Sequence, residues 1–123
     1  MATLLTNAGK AIVTNRIKGA GTEPLNAAWG TGAGTTAATD TTLFTEATPR
    51  AAGTSTQATT SVTNDTYQVV ATITAGGALA ITNAGLFDVI TASSGNLFVK
   101  GDFSTINLAS GDSIQFTFKT QFS

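Results

Sequence analysis

Residues 112–122 read D-S-I-Q-F-T-F-K-T-Q-F, which sets Ile114, Phe116, Phe118 and Phe122 on one side and Ser113, Gln115, Thr117, Lys119 and Gln121 on the other. Side chains alternate across a strand, so this period of two predicts a strand buried on one face and wet on the other. Its polar side groups no acid with a base or a nucleophile. Moving back along the chain, Phe103–Leu108, Leu97–Asp102, Leu79–Phe87 and Thr66–Thr74 read as further extended pieces, the last with Tyr67, Val69, Ala71 and Ile73 on one face. Gly85 suits a bulge or a close approach. The Thr/Ser-rich run 51–63 reads as a polar edge strand or arm, joined to Thr66–Thr74 as a hairpin through Asn64-Asp65. Ala75-Gly76-Gly77, Ser93–Asn96 and Ser110–Asp112 are turn sequences, and the Gly101-Asp102 and Gly111-Asp112 steps read as two similar turns. Six to eight strands at intervals of about 8–12 residues predict a mainly β chain, an antiparallel β-sandwich or jelly-roll-like barrel.

One helix is expected, over Thr6–Lys18. Thr6 or Asn7 caps its start, Leu5, Ala8, Ile12 and Arg16/Ile17 follow helical spacing, and Gly19 stops it. Gly9 inside it lowers helix stability by up to about 1 kcal/mol relative to Ala, so the helix must dock its apolar stripe on something else. Gly19–Asn26, with Gly21 and Pro24, is a connector. Residues 1–26 therefore read as an N-terminal helix and arm, and 27–123 as a β domain, together one compact unit. Ala27–Gly30 is a short strand leading into Gly30-Thr31-Gly32-Ala33-Gly34. That cluster lacks the spacing and the Gly-Lys-Ser/Thr step of a phosphate loop and reads as a surface loop. Thr39-Asp40 caps a short helical turn through Leu43, Phe44 and Glu46, ended by Pro49.

Composition narrows the chemistry. The 123 residues carry 11% charged side chains and a net charge of -1, which gives no basic field for a nucleic-acid backbone. Histidine and cysteine are both absent, removing the usual neutral-pH base and the commonest zinc ligands. The seven acids, Glu23, Asp40, Glu46, Asp65, Asp88, Asp102 and Asp112, are scattered singly, with no calcium-loop spacing and no pairing suited to acid–base work. No enzyme activity, cofactor or metal is expected. Apolar runs are a few residues long, far short of the ~20 needed to cross a bilayer, so no membrane association is expected. The opening Met1-Ala2-Thr3-Leu4-Leu5 lacks the basic and apolar regions of a secretory leader. Trp29 and Tyr67 are the aromatic residues suited to stacking on a sugar, and both fit a core position better.

The whole chain resembles small virion structural proteins of tailed bacteriophages. The resemblance runs through L-L-T-N-A-G-K-A-I-V-T-N-R-I-K-G (Leu4–Gly19), W-G-T-G-A-G-T with D-T-T-L-F-T-E (Trp29–Glu46), I-T-N-A-G-L-F-D (Ile81–Asp88), N-L-F-V-K-G-D-F (Asn96–Phe103) and L-A-S-G-D-S-I-Q-F-T-F (Leu108–Phe118). It implies a capsid decoration, or cement, protein on the virion surface, made in the host cytoplasm and binding the major capsid protein. It also implies copies of the chain in a homo-oligomer, a trimer being one form. A tail, collar or fibre component, or a receptor- or glycan-binding module on one, is the alternative it leaves open. No catalytic motif comes with the family. The arms expected to meet a partner are Ala2–Arg16 and Gly30–Thr42, and the expected contact residues are Leu4, Leu5, Ile12, Arg16, Trp29, Thr31, Leu43 and Phe44.

Overall fold

The computed structural model describes residues 3–123, so Met1 and Ala2, the first residues of the expected arm, lie outside the described residues. These contain β1 (Thr3–Leu5), α1 (Asn7–Ile17), β2 (Asn26–Gly30), β3 (Glu46–Ala52), β4 (Thr54–Ala58), β5 (Thr66–Thr74), β6 (Leu79–Phe87), β7 (Leu97–Leu108) and β8 (Ser113–Gln121). Two antiparallel sheets form a sandwich: a five-stranded sheet in the order β1-β7-β6-β2-β3, and a three-stranded sheet in the order β4-β5-β8. Ala27, Trp29, Ile81, Leu86 and Val99 of the larger sheet meet Val69, Ala71 and Ile73 of the smaller one in the main core. Each fully buried Val, Leu or Ile side chain there contributes about 1.5–3 kcal/mol over leaving it in water.

The expected hairpin forms over a shorter span, with Thr54 opposite Val70 through Ala58 opposite Thr66; Ala51 and Ala52 belong to β3 of the other sheet, and residues 59–65 make the connection. The expected last strand forms too, matched to β5 without interruption from Thr66–Gln121 to Thr74–Ser113. Its alternation is real, but the inward set is Ile114, Phe116, Phe118 and Thr120. Phe122 falls beyond the strand and is 44% exposed.

The structure differs from the sequence expectations around residues 43–49 and 97–108. No helical turn forms near Leu43–Glu46; the chain there runs into β3, and Pro49 sits inside that strand. Pro49 is tolerated because β3 is a sheet edge and because Ala27 and Trp29 pair with Ala51 and Ala47, which leaves residues 48–50 bulged opposite Ala28. Leu97–Asp102 and Phe103–Leu108 are one strand, so Gly101-Asp102 is no turn: Gly101 pairs with Ala84 on one side and Thr3 on the other. The register of β6 on β7 jumps between Ile81/Asn83 and Leu86/Phe87, and at the second jump Phe98 is the extra residue.

The helix starts and stops as expected. Thr6 Oγ1 accepts the Gly9 N–H at 2.9 Å, and Gly19 follows the helix with φ +90°. The docking face differs: Gly9 and Ile12 are buried and Val13 partly so, while Ile17 is 81% exposed. Residues 3–17 are built into the sandwich. β1 pairs with β7, Thr6 donates its hydroxyl to Leu97 O at 2.6 Å and its N–H to Phe98 O at 3.1 Å, and Ile12 joins the main core. Gly9 permits this, because a methyl group there would overlap the Phe98 carbonyl oxygen and lie 2.8 Å from Leu5 Cδ1. The position that weakens the isolated helix lets the docked one approach β7.

Candidate functional site

Both faces of the five-stranded sheet are covered. The smaller sheet takes one face, and the segment 31–45 folds over the other. That segment begins as a continuation of strand pairing, with Thr31 N–H on Thr45 O (3.0 Å) and Gly32 N–H on Phe44 O (2.9 Å). Three polar side chains on β6 and β7 then peg it down. Asn83 donates to Phe44 O and accepts the Phe44 N–H at 3.0 Å, and Asp102 accepts the N–H and hydroxyl of Thr36 at 2.8 and 2.9 Å. Lys100, 1% exposed, donates to Asp40 at 3.0 Å and to Thr42 O at 2.9 Å, with its ammonium 3.2 Å from the centre of the Phe44 ring. A buried ammonium needs such a shell, since an unpaired charge inside a protein is strongly unfavourable. Burial pushes the Asp40 carboxyl up, but the Ala37 N–H and the Lys100 hydrogen bond and charge outweigh it and leave the carboxyl below its ordinary range. Leu43 fills a second small core with Ala28, Phe87 and Leu97. Glycines accommodate the fold-over: a Cβ on Gly34 would lie 2.7 Å from the Phe44 ring.

A second clamp holds the loop between β6 and β7. Arg50 forms a two-pronged pair with Glu46 at 2.7 and 2.9 Å, donates to Val89 O and Ser94 O, and lies 3.7 Å from the centre of the Phe87 ring. Every polar atom of that guanidinium site is spent on the chain's own backbone or on Glu46. Among the described residues, no group of three or more acidic side chains has metal-site geometry. Among them, too, no helix is long and apolar enough to cross a membrane.

The eight expected contact residues do not come together in one patch. Ile12, Trp29 and Leu43 are buried within this chain. Trp29 is 0% exposed, edge-on to Phe116, and its indole N–H has no hydrogen-bond partner among the described residues. Leu5 is partly buried against the main core, Thr31 partly buried at the start of the fold-over, and Phe44 partly buried beneath Lys100. Leu4, 36% exposed, and Arg16, which donates to Gly21 O at 2.9 Å, are at the surface. Tyr67, considered above as a sugar platform, is half-buried edge-on to Phe98, with its hydroxyl on Glu23 and Pro24 O. Burial, and then the Glu23 carboxylate, push its phenol well above the ordinary tyrosine range.

Surfaces that the sequence did not single out are more open. Along the side where β1 and β8 end their sheets, a groove of about 600 Å³ runs between Gly101 and Phe103 of one sheet and Phe116 and Phe118 of the other. At the helix end, Ile17, Tyr67, Phe98 and Phe122 line an apolar cleft of about 270 Å³, with Arg16 and Glu23 beside it. The outer face of the small sheet presents Thr54, Thr56, Gln68, Val70, Thr72, Thr74, Gln115, Thr117 and Lys119 in register, one charge in the set. No protein-family model, no curated protein and no solved structure matches the chain.

Proposed function

We propose that the chain is a structural component of a tailed-phage particle, a decoration protein that binds the shell where major capsid subunits meet, ties them together and carries no reaction of its own. The family resemblance of the sequence supports this reading. So does one feature of the surface: the broad, hydroxyl- and amide-rich face of the small sheet, with Lys119 as the one charge among its aligned positions. Such a face suits adhesion over area, in which many modest contacts add up once several copies are tethered to one lattice. It offers little to a substrate that must be held at a single reacting atom.

Electron microscopy of particles carrying labelled protein tests the reading. Copies spread over the whole head are expected, and a few copies at one vertex would assign the chain to the tail instead. Attachment is expected to change little with ionic strength, because so few charges are available to be screened. Release of the protein from particles by moderate salt alone would refute the adhesive-surface argument.

A further inference from the structure

We propose that β8 is a self-association edge, through which two copies of the chain join their small sheets into one continuous six-stranded sheet. Among the described residues the sandwich has four sheet edges, and three are blunted. β1 has three described residues, β3 carries Pro49 and a bulge, and β4 is five residues long. β8 is nine residues long and regular in register, without proline or bulge, and its outer side is unpaired among the described residues. An edge of that length, with a row of N–H and C=O groups unpaired, is a template for another strand. Its inward side adds Phe116 and Phe118, half-buried and stacked with ring centres 5.7 Å apart on the wall of the open groove.

The occupant that fits is a second β8 running the other way. The charges associated with this strand are Lys119 near its end and Asp112 just before its start. A parallel copy would lay Lys119 against Lys119. An antiparallel copy centred on Phe116 sets Lys119 opposite the second copy's Ser113, one residue from its Asp112. Ile114 then faces Phe118 and Gln115 faces Thr117, so inward side chains stay with inward and polar with polar. This pairing is two-fold and closes on itself, giving a dimer and not an open fibre. The low-charge outer face of the small sheet is doubled in extent.

The inference does not rest on the particle reading, and its test uses the isolated full-length chain. Sedimentation equilibrium should show a concentration-dependent dimer. Gln115 and Thr117 are exposed and make no side-chain hydrogen bond within the chain among the described residues, so they can be changed without touching the core. Q115K/T117K places like charges directly opposite each other at two symmetric points and should weaken dimerisation roughly tenfold or more. Q115K/T117E places opposite charges there and should restore it to the unsubstituted level or better. Folding of both variants is checked by the emission of buried Trp29. A folded chain that stays monomeric at every concentration would overturn the proposal. So would a dimer that ignores both substitutions, which would place the contact on another face.

Discussion

Replacing Gly9 by alanine sets a local preference against a tertiary contact. In an exposed helix interior the change adds about 1 kcal/mol of helix stability. Here the new methyl group would overlap the Phe98 carbonyl oxygen and come within 3.0 Å of its carbon. A carbon–oxygen contact needs about 3.3 Å, so α1 must back away from β7 by on the order of 1 Å. That shift stretches the two buried bonds from Thr6 to β7, at 2.6 and 3.1 Å, each contributing about 1 kcal/mol. It also loosens Ile12 in the main core, where lost packing adds about 1–2 kcal/mol. Subtracting the propensity gain leaves a net destabilisation of about 2–3 kcal/mol. Urea unfolding followed by Trp29 fluorescence measures it, with Thr14→Ala on the exposed side of the same helix as the reference. Thr14→Ala should be neutral or slightly stabilising. A Gly9→Ala protein as stable as the unsubstituted chain would refute the argument that close approach governs this position.

Lys100→Met keeps the volume of the side chain and removes its charge, its bonds to Asp40 and Thr42 and its contact with Phe44. A loss of about 2 kcal/mol is expected, allowing for the partly exposed Asp40. Segment 31–45 should become cleavable by protease under conditions where the unsubstituted chain is resistant, and unchanged resistance would show that Lys100 does not hold it. Asp65 accepts the N–H groups of Val62, Thr60 and Ser61, which hold its carboxyl far below the ordinary value of 3.8. Because the folded state depresses this pKa, its stabilisation is fully present above the unfolded value and fades as pH falls below it. Asp65→Asn should therefore be less stable than the unsubstituted chain at neutral pH, with the gap in urea midpoints closing on acidification. A gap independent of pH would contradict this role.

The strands were legible where one residue in two is apolar and the turns between them are unambiguous. β5 and β8 lie within a residue or two of where the alternation places them, and β6 fills the run that follows the Ala75-Gly76-Gly77 turn. The helix was legible from its caps. What the sequence did not disclose depends on contacts between distant segments. Pro49 reads locally as a breaker, yet an edge position and a bulge opposite Ala28 absorb it. Gly9 reads as a weakness until Phe98 is seen behind it. Lys100, Asp102 and Asn83 have no local signal at all, because their partners lie 39 to 66 residues away in sequence. The contact residues were harder to find for a related reason. Apolar side chains on short segments such as Ile12, Trp29 and Leu43 look equally suited to a partner and to a core, and only the packing distinguishes the two. The aromatic pair Phe116 and Phe118 gave the opposite difficulty: alternation identified their face but not that their strand ends its sheet.

The pairing of Thr3 with Gly101 ties β1 to a segment made about a hundred residues later. A ribosome that has made β1 must therefore add about a hundred more residues before that strand has its partner, and α1 must wait with it for the Leu97 and Phe98 carbonyls. Folding that depends on such distant partners is slow compared with that of helical bundles of similar size. The nascent chain meanwhile travels with Leu4, Leu5 and Ile12 uncovered. Chaperone capture during translation, and recovery in inclusion bodies when synthesis outruns folding, are the outcomes expected of that long loop closure.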